Sequence, residues 1–158
     1  MQPVRVQTEA FDVAAEIEAL RAGDPHVGGL VTFVGYMRDF NQGDRVETLT
    51  LEHYPGMTEK ALEAIVTEAG ARWDLLGIRV VHRVGELRPG EPIVLVAVTS
   101  AHRGEAFRAC EFVIDYLKTR APFWKKERTP QGERWVEARS SDQRAEARWR
   151  PGSGKATR

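Results

Sequence analysis

The chain has 158 residues, 42% of them hydrophobic, which is enough for one globular domain with a core of its own. Its 23 basic and 23 acidic residues cancel, so bulk attraction to nucleic acid or an anionic membrane is not expected and any anion selectivity must be local. A single cysteine, Cys110, excludes an internal disulfide framework and a multi-cysteine zinc site, and the absence of a membrane-length apolar run or a charged-then-apolar leader predicts a soluble cytoplasmic protein.

Taken in chain order, residues 4–7 read as a short strand, and Asp12 caps a helix whose Val13, Ile17 and Leu20 share one face, ending near Gly23. Residues 28–37, GGLVTFVGYM, form a β-rich run that leads into a polar loop over 38–45, exposed and mobile by composition. Residues 48–54 alternate, with Leu49, Leu51 and His53 on one face, until Pro55-Gly56 ends the strand. A second helix is predicted over 58–73, with Leu62, Ile65, Val66, Ala69 and Trp73 at helical spacing.

Residues 78–87 and 92–100 read as two strands joined by the turn-forming Arg88-Pro89-Gly90-Glu91, hence an antiparallel hairpin. A third helix spans about 105–120 with Phe107, Cys110, Ile114 and Leu117 as its buried stripe, and Pro122 stops it. Residues 123–127 and 134–137 then close the domain as a hairpin across 129–132. The domain runs over 1–149, and residues 150–158, almost without apolar side chains, are expected to be a disordered tail. Grouped strands, hairpins and three separated helices predict an α+β fold, helices packed on a mainly antiparallel sheet.

The chemistry concentrates in residues 101–127, AHRGEAFRACEFVIDYLKTRAPFWKKE. Lys118 stands near the helix C-terminus and Lys125 just past a proline-broken corner, so their ammonium groups could converge on one pocket; the alternative is that both are solvated surface lysines. A lysine beside other cations has its charged form disfavoured, which makes it usable as acid, base or nucleophile near neutral pH. His102 and Arg103 lie at a strand-to-helix junction, where first-turn N–H groups and the helix dipole attract anions and the guanidinium offers a fork for phosphate or carboxylate. A capping histidine beside a surface arginine is the bland alternative. Arg38 opens the polar loop as a candidate pocket-rim cation, and Arg139 follows the last strand as a weaker one.

Other features carry no chemistry. Gly152-Ser153-Gly154-Lys155 lacks the first glycine of a P-loop, where Trp149 stands, and leaves no room for a following helix. The four histidines are scattered without metal-ligand spacing, so no metal or cofactor is expected. Cys110 falls on the helix stripe and reads as packing, leaving the chain without a cysteine of its own to carry reactive sulfur.

Three blocks, TFVGYMRD at 32–39, LTLEHYPGMTEKAL at 49–62 and SAHRGEAFRACEFVIDYLKTRAPFWKKE at 100–127, with ERWVEA at 133–138, resemble the large, catalytic subunit of molybdopterin synthase, the MoaE family. The resemblance runs from about residue 4 to 149. It implies an α/β hammerhead-like fold and a sulfurtransferase that converts cyclic pyranopterin monophosphate to dithiolene molybdopterin in molybdenum cofactor biosynthesis. Each of two sulfurs would arrive as the C-terminal Gly-Gly thiocarboxylate of a small ubiquitin-like partner. Two large subunits would form a homodimer at the centre of a heterotetramer.

By the same resemblance, Lys118 matches the family's essential lysine and Lys125 the second lysine of its motif. Arg38, His102 and Arg103, with Arg139 weaker, would hold the anionic part of the substrate. Phe33, Tyr36, Met37, Lys126 and Glu127 would line the pocket. Two readings from other classes stand beside this one: a noncatalytic module that binds a phosphorylated metabolite or a ubiquitin-like protein, and a lysine Schiff-base enzyme. The first would tolerate Lys→Arg at 118 and 125, whereas proton transfer or a covalent amine would not.

Overall fold

Two four-stranded sheets hold most of the strands, beside a separate two-stranded hairpin, and the most apolar run of the chain sits at the centre of the first sheet. The computed structural model describes residues 2–137 and 140–151. In chain order the elements are β1 (Val4–Gln7), α1 (Val13–Arg21), β2 (Gly29–Tyr36), β3 (Phe40–Asn41), β4 (Asp44–Arg45), β5 (Thr48–His53), α2 (Met57–Arg72), β6 (Gly77–Arg83), β7 (Gly85–Leu87), β8 (Pro92–Ser100), α3 (Arg103–Arg120), β9 (Phe123–Thr129), β10 (Gly132–Val136) and α4 (Ser140–Ala147). The first sheet has the order β1-β6-β8-β2, parallel only between β1 and β6. The second, β10-β9-β5-β7, is antiparallel throughout.

Strand β8, PIVLVAVTS, is apolar at nearly every position because both of its faces are covered. Val94, Val96 and Val98 pack with residues of α2 and α3, such as Leu62, Ile65, Phe112 and Val113. Leu95 and Ala97 face the other way, toward Phe11, Val13 and Leu20 around α1. Asp12 caps α1 as predicted, its Oδ1 accepting from the Ala15 N–H at 3.0 Å. Beneath the second sheet, Met37, Val46, Leu49, Leu51 and Leu87 make a smaller core.

The fold is α+β and mainly antiparallel, as expected, with four differences of detail. The strand predicted over 78–87 breaks in two at Val84. Gly85 takes φ +90°, open to glycine and disfavoured for other residues, which turns the chain out of the first sheet so that Gly85–Leu87 pairs with β5 in the second. The 92–100 strand does pair antiparallel with the 77–83 portion.

The loop expected over 38–45 folds as a minimal hairpin, β3–β4, turned by Gln42 and Gly43 at φ 53° and 82°. The stripe predicted for α3 holds at Cys110 and Leu117, with Ile114 partly buried against the core, but not at Phe107, which is 60% exposed; Ala106, Ala109, Phe112, Val113 and Tyr116 complete the buried face. Small Ala106 and Ala109 lie against the sheet, and Phe107 is carried to the outside.

Helix α4 is the fourth difference. Its sequence SSDQRAEA has no apolar stripe, and its docking comes from flanking residues. Trp149 packs edge-on to Trp73 and Phe112, with centroids 5.6 and 5.7 Å away, and its indole N–H donates to Asp115 at 2.7 Å. Arg148 bonds Glu111 and Asp115, while Glu146 pairs with Arg120 and Arg150. The tail predicted over 150–158 falls, beyond Pro151, outside the described residues. Among the described residues, no helix is long and apolar enough to cross a membrane.

Candidate active site

Helix α3 places Lys118 in its last turn. Pro122 cannot donate a backbone hydrogen bond and disfavours helix at the preceding residue, so the chain leaves α3 extended at Ala121 and enters β9 at Phe123. Alternation along β9 then sends Phe123, Lys125 and Glu127 to one face. All three line a cavity of about 370 Å³, together with Lys118. The end of β2 supplies Tyr36, Met37 and, just beyond, Arg38. Met37 is 4% exposed and is held by its backbone to the 88–91 turn, its N–H donating to the Glu91 carbonyl and its carbonyl accepting from Gly90.

Six predicted residues, Tyr36, Met37, Arg38, Lys118, Lys125 and Glu127, are thus brought to one cavity. Four others lie elsewhere. Lys126 faces away on β9, with Nζ 3.2 Å from Glu133 and 5.4 Å from the Trp135 ring centroid. Phe33 is 39% exposed on β2 and is absent from the cavity wall. His102 and Arg103 stand exposed at the opposite end of α3 from Lys118, and fifteen helical steps put about 22 Å between Arg103 and Lys118. One chain therefore cannot bring both to a single phosphate. Arg139 lies outside the described residues.

Sequence reasoning missed part of the wall. Phe40 and Asn41 come from the β3–β4 hairpin, and Asp142 from α4. The glycine turn after Asn41 could have signalled the hairpin; nothing local signals Asp142. Among the described residues, the charged side chains on the wall are evenly split, Arg38, Lys118 and Lys125 against Glu127, Glu137 and Asp142. Whether the site attracts an anion therefore depends on how its acids are occupied.

His82 was missed as well. It is 5% exposed, its ring stacks on Phe123 at 3.9 Å, and its Nδ1 lies 2.8 Å from the Arg83 carbonyl, as a donor. Burial pushes its pKa down to about 3; the Arg83 hydrogen bond opposes the shift, and the nearby charges of Lys118, Lys125 and His53 add to it. A neutral imidazole therefore stacks on Phe123, a residue of the pocket wall.

Because an unfolded histidine titrates near about 6.5, the unfolded chain binds a proton through the acid range that native His82 does not. Its stabilising contribution is complete above that value and is lost as the pH falls toward 3, at no more than about 1.4 kcal/mol per pH unit. Urea denaturation at pH 7 and pH 5 should show a larger loss in wild type than in His82→Phe. Equal losses would mean that His82 titrates alike in the folded and the unfolded chain.

Cys110 is 4% exposed with Sγ 3.8 Å from the Val96 carbonyl, and burial pushes its thiol up to about 11. It is a packed residue, far from a thiolate at neutral pH.

Fold and site together define the class: an α+β protein in which lysine side chains from two successive elements, α3 and β9, line one cavity. The chain matches the family described as MoaE protein over residues 6–120. A molybdopterin synthase catalytic subunit of Ralstonia nicotianae is 62% identical over 149 residues, spanning 94% of this chain and 85% of its own length. One of Pseudomonas aeruginosa is 61% identical over 146 residues, spanning 92% and 97%. The solved structure of a molybdopterin biosynthesis MoaE protein from Burkholderia ambifaria superposes with a TM-score of 0.81 at 58% identity, covering 94% of this chain and 98% of its own. The chain belongs to the MoaE family, that of molybdopterin synthase catalytic subunits.

Proposed function

We propose that this protein, in the cytoplasm, converts cyclic pyranopterin monophosphate to molybdopterin, taking one sulfur from the C-terminal thiocarboxylate of each of two small ubiquitin-like partner subunits. The observation that carries the reading is the convergence of Lys118 and Lys125, from α3 and β9, on one cavity with Arg38 at its wall. Lys118 works at the thiocarboxylate and the reacting carbon, as acid and base or through a transient covalent bond. Lys125 stabilises the negative charge that develops as the cyclic phosphate opens. Tyr36 and Met37 flank the substrate, and Arg38 holds its anionic part.

His102 and Arg103 take part from a second copy of the chain. The length of α3 supports this, since it keeps them from the Lys118 site of their own chain. So do the exposed rings of Phe33 and Phe107 and the open edge of β2, which leave apolar surface for a homodimer at the centre of a heterotetramer.

Reconstitution tests the reading: purified protein, cyclic pyranopterin monophosphate and thiocarboxylated partner, with the product oxidised to its fluorescent pterin derivative. Product formation is expected. Binding of the partner without product would leave the noncatalytic module standing. Cys110→Ala in the same assay should form product at a rate within about twofold of wild type, because a buried thiol with a raised pKa is no nucleophile. Loss of sulfur transfer in a folded Cys110→Ala protein would overturn the assignment of sulfur to the partner.

A further inference from the structure

Glu127 presents a contradiction in the pocket. It sits two residues from Lys125 on the same strand face, on the wall that also carries Lys118, and it is only 6% exposed. A carboxylate so placed would be expected to pair with the lysines and so compete with an anionic substrate. Its contacts lie elsewhere. Oε1 accepts from Arg134 Nε at 3.0 Å and Oε2 from Asn41 Nδ2 at 2.8 Å.

Arg134 is the centre of this arrangement. It is the cross-strand neighbour of Glu127 on β10, and all three of its guanidinium nitrogens have partners. Nε reaches Glu127, Nη1 reaches Asp44 Oδ2 at 2.7 Å, and Nη2 reaches the Asn41 carbonyl at 3.1 Å. Asp44 and Asn41 belong to the β3–β4 hairpin, whose Phe40 and Asn41 line the cavity. One planar fork thus joins the two closing strands to the hairpin and occupies the pocket's buried acid from behind.

We propose that Arg134 is a positioning residue: it clamps the β3–β4 hairpin and holds the Glu127 carboxylate back from neutralising the pocket cations, so that the cavity attracts an anion. The proposal rests on the functional reading for its substrate and on the geometry for its electrostatics, and the two are tested separately. Arg134→Gln removes the counter-charge and leaves Glu127 to turn toward Lys125. The double variant Arg134→Gln/Glu127→Gln removes the acid as well.

Inorganic phosphate, titrated by amide chemical shifts, reads the pocket without any turnover. Arg134→Gln should weaken phosphate binding about three- to tenfold, and the double variant, which still lacks the clamp on the hairpin, should recover part of that loss and bind at least about twofold tighter than the single variant. In the reconstituted reaction, KM for the pterin substrate should follow the same order, with kcat changing less. A merely structural arginine predicts the reverse, since losing a second hydrogen-bonding group should not restore binding.

Phosphate affinity in Arg134→Gln within twofold of wild type would overturn the proposal, as would a double variant no better than the single one. Absence of turnover in wild type, with phosphate binding ordered as above, would defeat the functional reading and spare this one. Should Arg134→Gln fail to fold, Arg134→Lys carries the same comparison. It keeps a charge beside Glu127 but lacks the fork that reaches three partners, so a weaker loss, again relieved by Glu127→Gln, is expected.

Discussion

Replacing Lys118 with alanine is expected to lower molybdopterin formation by at least about a hundredfold, and up to ten-thousandfold, the range for losing a positioned acid–base group. The fold should survive. Lys118 is exposed in the last turn of α3, where its position near the helix C-terminus is worth about 0.3–1 kcal/mol. Lys118→Arg should fail almost as badly, because arginine keeps the charge but neither gives up its proton near neutral pH nor acts as an amine. Single-turnover formation of the dithiolene, beside a thermal melt, checks both variants. Near-normal turnover in a folded Lys118→Ala protein would remove this residue from the chemistry. Full activity in Lys118→Arg would reduce its role to holding charge.

A mixed dimer tests the second large effect. Arg103→Ala alone should raise KM for the pterin substrate about ten- to a hundredfold, the loss of charge-assisted hydrogen bonds to a phosphate. In a hybrid dimer of one Arg103→Ala chain and one Lys118→Ala chain, a site shared between copies is built intact once and doubly damaged once. The hybrid should therefore show about half the wild-type activity at low substrate. If Arg103 served its own chain, no site would be intact, and the hybrid would be no better than the mean of its two parents. Differently tagged chains, purified sequentially, separate the cases. The expectation follows from the geometry of α3, whose ends lie too far apart for Arg103 and Lys118 to meet within one chain.

Much of the site was legible in the order of residues. Lys118 and Lys125 flank a proline that forces helix into strand, and that junction alone turns two lysines seven positions apart toward one space. Lys126 was misread as pocket-lining although the strand period already decided against it. With Lys125 facing inward on β9, its neighbour has to face out, and it does, against Glu133 and Trp135. Phe107 was misread for a different reason. A stripe chosen by the largest apolar side chains overlooks that Ala106 and Ala109 allow the helix to approach the sheet.

Taken by itself, the sequence determined what depends on near neighbours: the period-two strands, the first helix with its Asp12 cap, the break at Pro122, and the residue types that any anion site here would have to use. Tertiary structure alone decided what depends on distant pairs. Gly85 splits one apolar run between two sheets, Trp149 docks an unpatterned helix against α3, and Arg134 meets Asp44 across 90 positions of chain. The reason is physical. Local propensity and hydrophobic period are set within a turn or two of chain, whereas the sign of the charge presented by a pocket depends on which acids are occupied by partners that only the completed fold brings near.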